Sequence, residues 1–139
     1  MRRRTWIPLL IVALSAIFAL QALGMSAKSS MTMSGVLIDT KCYSMNKANK
    51  GNDHMTSHGE MAACGTACAK LGFPVGLLRS NGAVVILVGP STSFADHIGA
   101  AARVTGVRVL GMTNAVRPSK VEVKDANGHW VAVEMANME

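Results

Sequence analysis

Two Asn-Gly pairs, Asn81-Gly82 and Asn127-Gly128, each lie between short apolar runs, and they restrict the chain more than any other feature. Asn-Gly supplies the positive backbone dihedrals that a tight hairpin turn demands, so it folds one strand back on the next. Residues 75–78 and 83–88 are therefore the arms of a hairpin around Arg79-Ser80-Asn81-Gly82. Val36-Leu37-Ile38 ends a first strand that begins near Met31, with Gly35 marking a bulge or bend. Val104, Gly106 or Val107, and Val109 alternate through residues 103–110, Val121 and Val123 continue that alternation, and residues 130–134 close the chain after the second turn. One helix interrupts this series: Ser93 is its N-cap, and Phe94, Ile98 and Ala101 or Ala102 share a stripe over residues 94–102.

The fold class is mainly β. The order is strand, cysteine-bearing insertion with its own helix, hairpin, short helix, then three strands. A helix between the third and fourth strands is the order of the OB-fold, a small Greek-key barrel, with the Cys/His insertion between strands one and two. An open antiparallel sheet with the helices on one face is the alternative, and closure is preferred because it removes exposed edges. The barrel core is expected to hold Val36, Ile38, Leu77, Val84, Ile86, Val104, Val107 or Val109, and Val121, with the Phe94 helix plugging one end.

The N-terminus fixes how the cysteines are read. Arg2-Arg3-Arg4 precedes an apolar stretch over residues 6–23, and Ala22-Leu23-Gly24 offers the small residues of a cleavage site. Residues 1–24 read as a signal peptide, 25–33 as a linker and the start of the first strand, and 34–139 as a single domain. A membrane anchor over residues 6–23 is the alternative, since about 18 apolar residues just span a bilayer. The expected location is a bacterial periplasm or the medium, an oxidising compartment. The formal charge is +6, but removing Arg2, Arg3 and Arg4 from 14 basic residues leaves 11 against 8 acidic ones, too weak a surplus to argue a nucleic-acid partner.

All three cysteines, with His54, His58, Met45, Met55 and Met61, fall between positions 42 and 68. Helix formers over residues 60–71, stopped by Gly72 and Pro74, put Cys64 and Cys68 one turn apart on one helical face. Such a pair can converge on one metal ion, whereas a disulfide within one regular turn is strained. A covalent bond is more natural from Cys42 to either of them, and it leaves one thiol over.

Ser34-Gly35-Val36-Leu37-Ile38-Asp39-Thr40-Lys41-Cys42, His58, Cys64-x-x-x-Cys68, Gly72-Phe73-Pro74-Val75-Gly76-Leu77 and Val104-Thr105-Gly106 together resemble a group of small exported bacterial proteins of uncharacterised function. That resemblance covers most of the chain beyond the signal and implies the OB-like architecture. It carries no activity.

Three functions suit these residues. The preferred one is non-enzymatic binding or delivery of a soft metal ion, copper first and zinc second, by Cys42, His54, His58, Cys64 and Cys68, with a metal-donating or metal-receiving exported protein as partner. In that reading Cys64 and Cys68 are the indispensable half, completed by Cys42 or His58, with the thioethers of Met55 or Met61 available. The second is a disulfide-braced binding or adaptor module, and the third a thiol-disulfide redox protein, for which the Cys-x-x-x-Cys spacing is unsuited. Haem attachment is excluded because Ala69, not histidine, follows Cys68. Asp39 reads as a cap for the turn after it in preference to a partner of a ligand, and His97 and His129 as surface residues. No phosphate loop, nucleophile elbow or carboxylate pair beside a histidine supports a hydrolase.

Overall fold

The computed structural model describes residues 29–135, so the readings of residues 1–24 as a signal, 6–23 as an anchor and 25–28 as linker lie outside the described residues. Among the described residues no helix is long and apolar enough to cross a membrane. The elements in chain order are β1 (Met31–Asp39), α1 (Thr40–Met45), β2 (His54–Thr56), β3 (Gly59–Met61), α2 (Cys64–Lys70), β4 (Val75–Leu78), β5 (Val84–Leu87), a 3₁₀ helix (Ser91–His97), β6 (Ala101–Arg108), β7 (Ala115–Lys124) and β8 (Trp130–Ala132).

Six strands form a mainly antiparallel sheet in the order β5-β4-β1-β6-β7-β8. β5 also pairs in parallel with β7, Ile86 opposite Ala115 and Leu87 opposite Val116. The hydrogen-bond ladders that run from β5 through β4, β1 and β6 to β7 thus return to β5, and β8 pairs further along β7, at Glu122, Val123 and Lys124. Both expected turns are present. Gly82 has φ +81° and Gly128 φ +82°, the left-handed region that glycine enters without penalty. In the first, the Arg79 N–H donates to the Ala83 carbonyl at 2.9 Å.

Gly35 makes no bulge. It pairs in register with Ala102, and its missing Cβ instead admits the Leu78 carbonyl, which a side chain there would overlap. The register shift falls in β6, between Thr105 and Gly106. The helix expected over residues 94–102 is the 3₁₀ helix Ser91–His97. It stops because Gly99 turns with φ +89° and donates its N–H to the Leu37 carbonyl at 2.7 Å, while the Leu37 N–H donates to Ala100. Those two bonds draw residues 99 and 100 onto β1, and β6 starts at Ala101.

The core lies one residue off the expected face on two strands. Leu37, Leu77, Leu87, Phe94, Val104 and Val121 are buried in the principal cluster. Ile38 belongs to a second cluster on the other side of β1, with Tyr43 of α1 and Leu78, and Val36 and Val84 pack there, half-buried. Val85, not Val84 or Ile86, packs against the principal cluster from β5. Phe94 is fully buried, and each such side chain contributes roughly 1.5–3 kcal/mol of burial free energy.

Candidate metal centre

The chain between β1 and β4 is held by polar side chains that cap backbone groups. Asp39, last residue of β1, accepts from the Lys41 N–H at 3.0 Å and the Cys42 N–H at 3.2 Å, so it is the N-cap of α1, as its position suggested. This cap puts Cys42 in the first turn of α1, directly off the end of the strand. Thr40 donates through both its N–H and its hydroxyl to the Pro74 carbonyl, closing the base of the insertion. Buried Asn49 accepts from the Met55 N–H at 2.9 Å and donates to the carbonyls of Met55 and Cys42, fixing β2 against α1.

α2 begins at Cys64, four residues later than the expected start at 60. Glu60 and Met61 are held in β3, where they pair with Met55 and His54, and Ala63 is left-handed with φ 52°. Ala63 supplies no side-chain cap, so distant residues do: Asp53 accepts from the Ala63 N–H at 2.7 Å, and Asn52 accepts from Gly65 through its carbonyl and from Thr66 through Oδ1. Orphan donors at a helix start need such partners. Here they draw Cys64 onto the loop that leads into His54. Thr66 donates to the Ala95 carbonyl and Ser91 to that of Ala69, which fixes α2 against the 3₁₀ helix.

These constraints converge on one cluster. Ligand atoms of Cys42, His54 and Cys64 lie within 4.8 Å of one another, and so do those of Asp39, Cys42 and Cys68. The centre of a triangle with edges of at most that length is at most about 2.8 Å from each corner, within about 0.5 Å of an ordinary Zn–S bond of about 2.3 Å and about 0.8 Å of a Zn–N bond of about 2.0 Å. The Cys42 and Cys64 sulfurs are 3.9 Å apart, and all three cysteines are free thiols. Cys64, Cys68, Asp39 and His54 are buried, and Cys42 is half-buried.

His54 is 0 % exposed, and its ring is set by its neighbours. Nε2 lies 2.9 Å from the Gly51 carbonyl, which can only accept, so Nε2 carries the proton. In the neutral ring Nδ1 then presents a lone pair. It is buried, has no hydrogen-bond partner, and stands 4.0 Å from Asp39 Oδ2. A ring whose far nitrogen donates to a backbone carbonyl while the near one is free is the arrangement of a metal-ligating histidine.

Burial pushes the Cys42 thiol far above the ordinary thiol range, helped by the adjacent Asp39 carboxylate, which accepts from it and repels its thiolate, and then by Cys64 and Cys68. Cys68 is raised too, by burial first and then by the charge of Asp39 and the bond to it, while its bond with Cys42 works the other way. Without a cation the two sulfurs are therefore held as thiols at neutral pH.

Of the residues singled out in the sequence, Cys42, His54, Cys64 and Cys68 come together. Cys64 and Cys68 fall into different three-ligand groups, and Cys42 is common to both. His58 lies in the β2–β3 turn, exposed, with its N–H on Thr56 Oγ1, and is in neither group. Met55 and Met61 are exposed on the same ribbon. His129 is exposed beside Asp125, and His97 is half-buried at the end of the 3₁₀ helix. Asp39 is the addition, joining the cluster while it caps α1; its only sequence signal is its place three residues before Cys42. No family model, no curated protein and no solved structure matches the chain.

Proposed function

We propose that this protein binds a soft metal ion, copper(I) first and zinc(II) second, through Cys42, His54 and Cys64, and holds it for delivery to another exported protein. The observation that carries the reading is the buried, unpartnered Nδ1 of His54, set in one group with two sulfurs. Burying such a lone pair without a partner costs roughly 1–3 kcal/mol, and a bound cation removes that cost. Two sulfurs and one imidazole make a three-coordinate soft site that suits copper(I), while zinc(II) needs a fourth donor. Ligation also converts thiols into thiolates, so binding releases protons and tightens as pH rises. The proposal extends to the setting: residues 1–24 are removed on export, and the domain is an OB-like barrel, a reading supported by the return of pairing from β7 to β5.

Titration of the reduced protein with copper(I), against a chromophoric competing chelator under anaerobic conditions, tests the reading. His54→Ala and Cys64→Ser should each weaken binding at least tenfold, and His97→Ala and His129→Ala should leave it unchanged. A reduced protein that takes no copper(I) and no zinc(II) refutes the proposal. The 3.9 Å between Cys42 and Cys64 favours a second reading, a disulfide-braced module. Thiol counting on the exported protein separates the two: three reactive thiols support the metal site, and one supports the brace.

A further inference from the structure

We propose that Asp39, Cys42 and Cys68 form a second metal position, selective for a borderline divalent ion such as zinc(II), that shares the Cys42 sulfur with the first. This inference rests on the metal-binding reading of the Cys42, His54 and Cys64 group. Its geometric basis is that the second set of donor atoms also lies within 4.8 Å of one another. Sharing one sulfur means that a thiolate at Cys42 bridges two ions, with Cys64 and His54 on one side and Cys68 and Asp39 on the other.

Charge points the same way. Asp39 is 1 % exposed, and among the described residues no lysine or arginine pairs with it; its oxygens receive two backbone N–H groups and the uncharged Cys42 and Cys68 thiols, and the nearest ring nitrogen is His54 Nδ1 at 4.0 Å. A buried carboxylate with so little countercharge is costly, and a cation beside it lowers that cost. One copper(I) among Cys42, His54 and Cys64 leaves that group with net charge −1, because two thiolates outweigh one monovalent ion, and Asp39 adds another negative charge. A divalent ion at the second position, which displaces the Cys68 proton to solvent, offsets both Asp39 and the Cys68 thiolate.

Ligand type decides which ion goes where. A carboxylate oxygen is a poor donor to copper(I) but an ordinary one to zinc(II), which accepts Asp oxygen beside Cys sulfur. With water as the fourth donor to zinc(II), the position with imidazole and two sulfurs takes either ion, whereas the position with carboxylate and two sulfurs favours zinc(II).

Stoichiometry measured separately with zinc(II) alone and copper(I) alone, on the reduced full-length protein, reads this directly. The expected result is two zinc(II) per chain but one copper(I) per chain. Cys68→Ala should bind one zinc(II) and still one copper(I); this small apolar replacement spares the Asp39 cap, and circular dichroism checks that the variant is folded. Asp39→Asn should match Cys68→Ala wherever it folds. A wild-type stoichiometry of one zinc(II) overturns the second position and leaves the first standing. Two zinc(II) in both wild type and folded Cys68→Ala also overturns it, since the second ion then lies elsewhere. No binding of either metal overturns both readings.

Discussion

The sheet and the segment between β1 and β4 are built on different physics. The sheet is held by apolar burial around Leu37, Leu77, Phe94 and Val104 and by long backbone ladders. The insertion has little apolar interior; it is held by polar side chains that accept from backbone N–H groups, Asp39 within the turn it caps and Asn49, Asn52 and Asp53 six to fourteen residues along the chain. Apolar packing is non-directional and tolerant, whereas each polar cap works only with particular partners in a narrow geometry. The difference teaches that the insertion can place five donor atoms closely but depends on those atoms being satisfied. In the proposed function a metal ion would do there what burial does in the sheet.

The largest effect that sharpens this contrast is expected in the sheet. Phe94→Ala removes the largest fully buried side chain and should lower stability by about 3–5 kcal/mol, seen as a lower urea midpoint with the slope preserved. In the insertion, Asn49→Ala deletes three hydrogen bonds at a buried site and should cost about 1–3 kcal/mol. Hydrogen exchange should place that loss locally, with a faster Met55 amide and unchanged amides in β6 and β7. A global loss in both regions would break the contrast.

A smaller effect concerns pH. In the folded, reduced, metal-free protein the Cys42 and Cys68 thiols are raised, while in the unfolded chain they ionise near about pH 8.5. Below that pH both states hold the protons, and their contribution to stability is complete. Above it the unfolded chain releases protons that the folded chain keeps, so stability falls as pH rises. The melting temperature should therefore decline between about pH 8 and pH 10, and less steeply in Cys42→Ser and in Cys68→Ser. The smallest effect is at the surface. Lys70 and Asp96 meet at 2.9 Å but are 57 % and 73 % exposed, so Lys70→Ala should shift stability by at most about 0.5 kcal/mol.

The same contrast decides what could be read from the sequence. The β4–β5 hairpin and the late strands were legible because Asn-Gly turns and alternating valines act locally. The inner face of β1 was not. Val36-Leu37-Ile38 is apolar throughout because both faces of that strand are covered, one by Phe94 and its neighbours and the other by Tyr43 of α1, so alternation cannot choose between them. The run Val84-Val85-Ile86-Leu87 was ambiguous for the same reason.

In the insertion, the density of sulfur and imidazole marked the right stretch, but only tertiary caps sorted it. His54 and His58 look alike in sequence, four residues apart in an Asn- and Gly-rich stretch. One is buried because its ring nitrogen meets the Gly51 carbonyl and its strand meets Asn49; the other is exposed in the turn. The late start of α2 depends on Asn52 and Asp53, which no helix pattern over residues 60–71 contains.

X-ray absorption at the metal edge, on reduced protein loaded with one equivalent of copper(I), tests the central claim most directly because it counts the donor atoms themselves. Two sulfur neighbours and one imidazole nitrogen are expected, with the nitrogen contribution lost in His54→Ala and a sulfur lost in Cys64→Ser. A shell without sulfur, or a nitrogen signal that survives His54→Ala, would contradict it.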